Sequence, residues 1–492
     1  MGFMDSPDGM AERAQRREGA PRARSVAFVT LGCAKNEVDT AHMRERVEAA
    51  GHAVVDDPAL ADAVVVNTCS FIQAATEESI EAVFDVAGLP RMEDGSAALV
   101  VAGCMPARYG EALEDELSEA RAFVPCARED DIVQVLEGMF AQLPESAPGT
   151  PGAVGGGRAG AGDGNAPTAA GDGAAEGGAG VQPDGGFPAE ADAAGARGAV
   201  SAYVKISDGC DRFCSYCTIP LIRGRYRSFP LADVCAEVDA HVARGVREIV
   251  LVAQDTGRWG TDFDAPSSLA ALLSALAERH PRTWFRVMYV QPEGVDDALL
   301  DAVAAHANVC PYFDVPLQHV DPELLSAMNR RGSRAEFEDL ARRIRERVPG
   351  AVLRTTLIAG FPGETEEQFQ SLCDFVEDAP FDYVGVFAYS REEGTRAFGL
   401  PGQLDEDEKA ERAQRLRDVA DAACLPRIAA RVGREMDVLV EGHEEDGQLF
   451  GRAMCQAPEV DGVVYLDAGE VGQVVRVRIV DTLLYEMEGE RA

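Results

Sequence analysis

Between Pro144 and Gly198 the chain holds 17 Gly and 15 Ala in 55 residues, and its only large apolar side chains there are Val154, Val181 and Phe187. A stretch of this kind buries too little surface to offset the entropy of ordering it, and it is predicted to be a disordered linker. Whatever folds must therefore fold separately on either side. The first 24 residues, arginine-rich and without apolar periodicity, are predicted to be a second disordered segment, an N-terminal arm. At 492 residues the chain is in any case too long for one core.

On the near side, residues 25–143, short β-branched runs (VAFVTL, DAVVVNTC, AALVVAGC) alternate with helical patterns such as AKNEVDTAHMRERVEAAGH. That alternation predicts an α/β domain on a parallel sheet. On the far side it resumes. AYVKIS, REIVLVAQD, TWFRVMYV, PYFDVPLQ, AVLRTTLIAGF and DYVGVFAYS read as buried strands, with SRAEFEDLARRIRERV and ETEEQFQSLCDFVED as helices between them. Six strands with crossover helices in residues 199–427 predict a parallel sheet curled toward a partial or full (β/α) barrel. After a long helical run from Asp405 to Arg431 the pattern changes to short strands with glycine-rich turns: EMDVLVEG, QLFGRAMC, GVVYLDA and GQVVRVRIVD. Residues 428–492 are predicted to form a small antiparallel β-barrel.

No apolar run reaches the roughly 20 residues of a membrane helix, so no membrane association is expected. Arg13, Arg16, Arg17, Arg22 and Arg24 precede SVAFVTLGC, which superficially has the parts of a secretory signal ending at a lipid-modified cysteine. The run is short and a helical pattern follows at once, which favours a buried first strand. Twelve cysteines are too few for a disulfide scaffold, and their clustering suits metal ligation in a reducing cytoplasm. With 46 basic and 84 acidic residues the formal charge is −38, which disfavours a polyanion and favours a basic partner. Acidity that serves only solubility, or a salty cell interior, accounts for the same composition.

Directly after AYVKIS comes GCDRFCSYC, which places Cys210, Cys214 and Cys217 within eight residues, with no cysteine or histidine in the next dozen. A structural zinc site needs four closing ligands, whereas three thiolates on one loop hold a four-iron cluster and leave one iron open to a small molecule. Ligands of parallel sheets bind at the carboxyl ends of strands, where this loop sits. Cys33, Cys69 and Cys104 occupy equivalent positions after three predicted strands of the first domain. Singly each is more often a buried cysteine than a ligand. Together they argue for a second cluster with one open iron. Cys126, Cys235, Cys310, Cys373, Cys424 and Cys455 show no such arrangement and are expected to serve packing.

With Tyr216 just before its last cysteine, the CxxxCxxC motif resembles the radical S-adenosylmethionine superfamily. That resemblance implies that the open iron chelates the methionine part of S-adenosylmethionine, whose reductive cleavage yields a 5′-deoxyadenosyl radical, with Tyr216 beside the cofactor. LIAGFPGET, with Gly360, Pro362 and Gly363, resembles the superfamily's glycine-rich adenosine-binding strand and is equally the pattern of an ordinary strand-to-helix turn. Gln254 and Asp255, ending REIVLVAQD, suit polar contacts to the methionine or ribose, or else a helix cap or surface pair.

A three-cysteine α/β domain, a radical S-adenosylmethionine domain and a small C-terminal barrel, in that order, resemble the methylthiotransferases along nearly the whole chain. The resemblance implies two [4Fe-4S] clusters and S-adenosylmethionine as cofactors. Cys33, Cys69 and Cys104 would hold an auxiliary, sulfur-carrying cluster, Cys210, Cys214 and Cys217 the radical cluster, and a TRAM-type barrel would bind substrate. It assigns no catalytic side chain. One S-adenosylmethionine would methylate a sulfur on the auxiliary cluster, and a second would generate the radical that abstracts hydrogen from the substrate before methylthio transfer.

One branch of the family modifies an adenosine of transfer RNA; the other modifies the β-carbon of an aspartate in small-subunit ribosomal protein number twelve. CTIPLIRGRYRS, QDTGRWG, PYFDVPLQHV, MNRRGSR, FAYSREEGT and APEVDGVVYL resemble the second. From Ile428 to Ala492 there are 6 Arg and no Lys against 14 Asp and Glu, a poor surface for a phosphate backbone and a suitable one for a basic ribosomal protein. Stable nucleic-acid binding is not expected. Arg223, Arg225, Arg227, Arg330 and Arg331 either contact RNA or form salt bridges. An electron donor is implied as a partner; the sulfur donor is not identified. A non-enzymatic iron–sulfur carrier would use the same cysteines without cleaving S-adenosylmethionine, and a zinc protein would be colourless.

Overall fold

The computed structural model describes residues 23–143 and 199–492, Pro380 excepted. Most of the predicted arm and the whole Gly/Ala-rich linker lie outside the described residues.

The β-branched runs of the first domain form five parallel strands: β1 (Ser25–Thr30), β2 (Ala53–Val54), β3 (Ala63–Thr68), β4 (Ala98–Gly103) and β5 (Ala122–Pro125), in the order β2-β1-β3-β4-β5. Every residue of β3 and β4 is buried, as a parallel sheet covered on both faces requires. Helices α1 (Ala34–Ala49) and α4 (Ile132–Phe140) cover one face through Met43, Val47 and Leu136. Helix α2 (Gln73–Ala87) covers the other through Val83 and Val86. Between them α3 (Cys104–Tyr109) is a short turn of helix leaving β4. Strands β2 and β5, two and four residues long, are too short to show a period in sequence.

The second domain places its strands in chain order: β6 (Ser201–Lys205), β9 (Glu248–Val252), β10 (Trp284–Val287), β11 (Tyr312–Asp314), β12 (Val352–Ala359) and β13 (Tyr383–Ala388). Between β6 and β9 a two-stranded ribbon, β7 (Ser207–Asp208) with β8 (Arg227–Ser228), frames the cysteine loop. Two parallel three-stranded pieces, β6-β9-β10 and β11-β12-β13, meet where Cys310 N donates to Phe285 O (2.8 Å) and Val290 N to Asp314 O (3.0 Å). Among the described residues β13 does not pair with β6, so the barrel is partial. Helices α5 (Leu231–Ala243), α6 (Leu269–Arg279), α7 (Asp297–Ala305), α8 (Arg334–Arg347), α9 (Glu366–Asp378) and α10 (Glu406–Ala429) wrap its outer face. Helix α10 runs past residue 427, where the sequence reading placed the domain boundary.

The third domain is a closed barrel of β14 (Glu435–His443), β15 (Leu449–Ala453), β16 (Val464–Leu466), β17 (Val474–Leu483) and β18 (Glu486–Arg491). Its pairings are antiparallel except β16 with β18, which close it in parallel. Strand β18, MEGER at its core, escaped the sequence reading because only Met487 and Gly489 turn inward. The inner face of the partial barrel, with Val250, Trp284, Tyr312, Val352 and Tyr383, packs against this third domain. Several of those residues begin their strands, so the third domain plugs the amino end. Buried Glu248 pins it there, accepting from Arg286 Nε (2.8 Å) and from Arg452 of β15. Tyr312 likewise hydrogen-bonds Asp461. The carboxyl ends of the strands are left to face the first domain.

Candidate active site

The radical-type loop leaves β7 at the carboxyl end of the partial barrel. Cys210 N donates to Gly224 O (3.1 Å), Cys217 N to Cys214 O (3.1 Å) and Ser215 N to Met328 O (2.9 Å), while Asn329 Nδ2 holds the carbonyls of Arg212 (2.9 Å) and Phe213 (3.1 Å). Asp255, fully buried, accepts from Arg212 Nε (2.6 Å) and thereby holds the loop against β9. The three cysteines feel one another. Burial, then Cys214, pushes the Cys217 thiol up to about 12, and burial pushes Cys210 up as well. The half-buried Tyr216 hydroxyl, raised by burial and by Cys214, lies in the field of Arg330.

The other three cysteines converge at one edge of the first sheet, because parallel strands end together. Cys33 begins α1, Cys69 follows β3 and Cys104 opens α3. The loops touch: a Cβ on Gly32, whose φ is +95°, would stand 2.5 Å from Cys69 Cβ. Asn36 ties them, donating from Nδ2 to Leu31 O (2.8 Å) and Thr68 O (3.0 Å). Burial, then Cys33 and Cys104, pushes Cys69 up to about 12. Cys126, expected to be a packing residue, joins this edge just beyond β5. Its thiol is shared between Ile222 O (3.5 Å) and Cys104, and that bond pulls Cys104 down to about 7 while Cys126 is pushed up.

The two cysteine sets face one another across a buried ionic joint. Asp39 of α1 pairs with Lys205 at the end of β6 and accepts from Arg223 Nη2 (2.8 Å), which also reaches Asn36 Oδ1 (3.0 Å). Burial pushes the Asp39 carboxyl up, but Arg223 and Lys205 outweigh it and hold it below the ordinary range. On the far side Arg108 pairs with Glu392 (2.8 Å), whose Oε1 accepts from Gln73 N (2.8 Å).

Three regions match known families: residues 25–125 the Uncharacterized protein family UPF0004, 204–376 the Radical SAM superfamily and 432–491 the TRAM domain. The curated protein named ribosomal protein uS12 methylthiotransferase RimO of Geobacter sulfurreducens is 39% identical over 94% of this chain and 98% of its own. That of Natranaerobius thermophilus is 36% identical over 94% and 98%. The chain belongs to the RimO family. A solved structure of the radical S-adenosylmethionine methyltransferase TsrM from Kitasatospora setae, 18% identical, overlays 75% of each chain with a TM-score of 0.51, a likeness of fold.

Membership in the RimO family brings with it [4Fe-4S] clusters and S-adenosylmethionine, and the residues present fit them. Both cysteine sets supply thiols alone, the donor type that holds iron–sulfur clusters. Gln254, two residues past β9, has both amide atoms enclosed and unpartnered, and Gln291 Oε1 beyond β10 is likewise enclosed and unpartnered. Buried polar atoms without partners mark where a polar ligand belongs.

Three groups of residues that the sequence left with two readings are placed as follows. Asp255 is engaged by Arg212 and positions the cysteine loop, while Gln254 beside it has no partner among the described residues. The room Gly360 needs is taken by the protein itself, since a Cβ there would meet Lys409 Cγ at 2.5 Å. Gly363 N donates to Gly402 O (2.8 Å) and Thr365 caps α9, so this segment, Pro362 included, has the geometry of a strand-to-helix turn packed on α10. Of the five arginines left between RNA contact and salt bridge, Arg223 is buried in the joint, Arg225 pairs with Asp211 (3.2 Å) and Arg227 is exposed beside Phe229. Arg330 donates to Pro316 O (2.6 Å), and Arg331 is exposed. Asn36, Asp39 and Lys205 were missed, because in sequence they look like ordinary polar positions of a helix and a strand end.

Proposed function

We propose that this protein inserts a methylthio group at the β-carbon of an aspartate of ribosomal protein uS12, with Cys33, Cys69 and Cys104 holding the auxiliary [4Fe-4S] cluster and Cys210, Cys214 and Cys217 the radical one. The observation that carries the reading is the joint between the two cysteine sets: Asp39, Lys205 and Arg223 clamp the end of β6 to α1 between them. When bound, the clusters and S-adenosylmethionine supply the carbon-centred radical and the methylthio sulfur. The chain's own residues do the rest. Arg212 and Asp255 orient the radical loop, Gln254 offers an amide to the cofactor's polar groups, and the plugged amino end leaves only the carboxyl mouth for substrate.

The acidic third domain favours a basic ribosomal protein over transfer RNA. A ribosomal-protein substrate favours an enzyme of the cytoplasm. Among the described residues no helix is long and apolar enough to cross a membrane. The chemistry also needs an electron donor and a sulfur donor. The test begins with iron and acid-labile sulfide on anaerobically reconstituted protein. The wild type is expected to hold about eight irons and the Cys210→Ala, Cys214→Ala, Cys217→Ala variant about four. Purified uS12 and a transfer-RNA pool are then modified in parallel. Mass added to uS12 supports the reading; methylthioadenosine in the RNA digest overturns the substrate.

A further inference from the structure

Among the described residues the buried lysines other than Lys35, and the arginines buried along their whole length, each have a carboxylate. Lys205 has Asp39, Arg286 and Arg452 share Glu248, Lys409 has Glu406, Arg412 has Glu364 and Arg431 has Asp382. Lys35 has none. It is 9% exposed, and among the described residues its ammonium meets no acceptor; it stands 3.6 Å from the centroid of the Tyr289 ring.

The stem is buried and the ammonium stays open at the mouth, so an anion arriving there finds a cation with no carboxylate of its own. An ammonium is a compact point charge with three donors, and a ring face engages it without occupying those donors. Lys35 also lies in the first turn of the 16-residue α1, the end whose dipole repels a cation and attracts an anion. The surrounding carboxylates are spoken for. Asp314 accepts from Arg354 Nη1 (2.9 Å) and Tyr289 N (2.9 Å), and Asp39 is held by Lys205 and Arg223.

The position is equally specific. Lys35 is two residues from Cys33, and Tyr289 lies just past the carboxyl end of β10, so their contact bridges the first domain to the mouth of the partial barrel. Tyr289 adopts φ +62°, a conformation other residues rarely accept, with its amide fixed by Asp314 and its carbonyl accepting from Thr256 N (3.3 Å).

We propose that Lys35 is the substrate-recognition cation: its ammonium, over the face of Tyr289, pairs with the carboxylate of the target aspartate. The proposal rests on the aspartate reading above. The reacting β-carbon is bonded directly to that carboxyl carbon, so fixing the carboxylate fixes the β-carbon to within about one bond length of its place between the two cysteine sets. A carboxylate leaving bulk water for this mouth gains such a partner, and asparagine, of the same shape without the charge, would leave Lys35 unpaired.

The test is binding of labelled peptides spanning the target loop of uS12, with aspartate or asparagine at the target position, to reconstituted full-length protein, read by fluorescence anisotropy. The wild type is expected to prefer aspartate by roughly tenfold or more, the scale of one charge-assisted hydrogen bond. Lys35→Met, matched to the wild type in iron content and circular dichroism, is expected to bind both peptides alike, and Lys35→Arg to recover part of the preference. A Lys35→Met protein that keeps the wild-type ratio, or weakens equally toward both peptides while the ratio stands, overturns the role of Lys35. If the wild type modifies uS12 in either case, Lys35 alone is wrongly assigned. If the wild type neither binds nor modifies uS12, the functional reading fails and the Lys35 assignment with it.

Discussion

Replacing Asp39 by Asn tests whether the ionic joint holds the two cysteine sets in register. The Asp39 and Arg223 side chains are each 1% exposed and Lys205 7%, so the substitution leaves two buried cations short of a carboxylate. Breaking such a pair from one side costs about 3–5 kcal/mol. Asp208, 3.5 Å from Lys205 and 3.4 Å from Arg223, stays to share part of the charge, so the lower end, about 3 kcal/mol, is the working figure. At 1.36 kcal/mol per decade that is roughly two orders of magnitude in the equilibrium constant for docking of the first domain. The second domain keeps its own core, so radical generation survives while sulfur transfer does not. The assay measures 5′-deoxyadenosine and methylthiolated uS12 together, and the variant is expected to form more than ten times less product per cleavage, an estimate from the same docking penalty. Adding Lys205→Met removes one stranded cation and is expected to recover about 1–2 kcal/mol of the loss, a coupling that a double-mutant cycle reads directly. An unchanged product ratio together with an unchanged unfolding midpoint would show that the joint does not set the geometry.

Further predictions concern the frame around the site. Burial pushes Glu248 up, but Arg452 and Arg286 hold it down at about 2 against an ordinary value of 4.5. A carboxyl depressed in the folded state stabilises fully above 4.5 and loses that contribution as pH falls toward 2, about 3 kcal/mol in all. Urea midpoints between pH 5 and pH 3 should therefore fall more steeply in the wild type than in Arg452→Met, and parallel slopes would refute the coupling. Gly360→Ala forces φ +78° on a residue with a Cβ and drives that carbon into the buried Lys409 side chain, costing about 1–3 kcal/mol in thermal stability. A melting temperature equal to the wild type's would show that the turn relaxes freely. Trp259→Ala removes a side chain 1% exposed whose indole donates to Phe229 O (3.0 Å), and about 3–5 kcal/mol of stability should go with it by denaturant titration.

Much of the fold was legible because its signals are local. Uninterrupted β-branched runs announced nearly every long parallel strand, and in parallel sheets such strands end at one edge, which is why six cysteines in two sets were readable before any coordinates. The strands that escaped lacked that signal: β2 and β5 are too short to show a period, and β18 carries charges on every outward position. Cys126 was set aside for the same reason, since no recognisable strand preceded it. Gly360 and Asp255 were legible as unusual but not as to purpose, because a glycine that admits a ligand and one that admits a lysine stem have the same sequence.

The sequence by itself determined the order of domains, the two thiol sets, the acidic character of the third domain and the family to which they point. These are properties of composition and short-range spacing, carried by residues near one another in the chain. Only the tertiary structure decided which charges are spent and which are free. That Arg223 is consumed by Asp39, 184 positions away, that Glu248 is claimed by Arg452 across 204, and that Lys35 is left with an aromatic face and no carboxylate are facts of long-range packing. A charged side chain has the same intrinsic chemistry wherever it stands. Its neighbours in space, and the water they exclude, settle whether it holds a protein together or waits for a substrate.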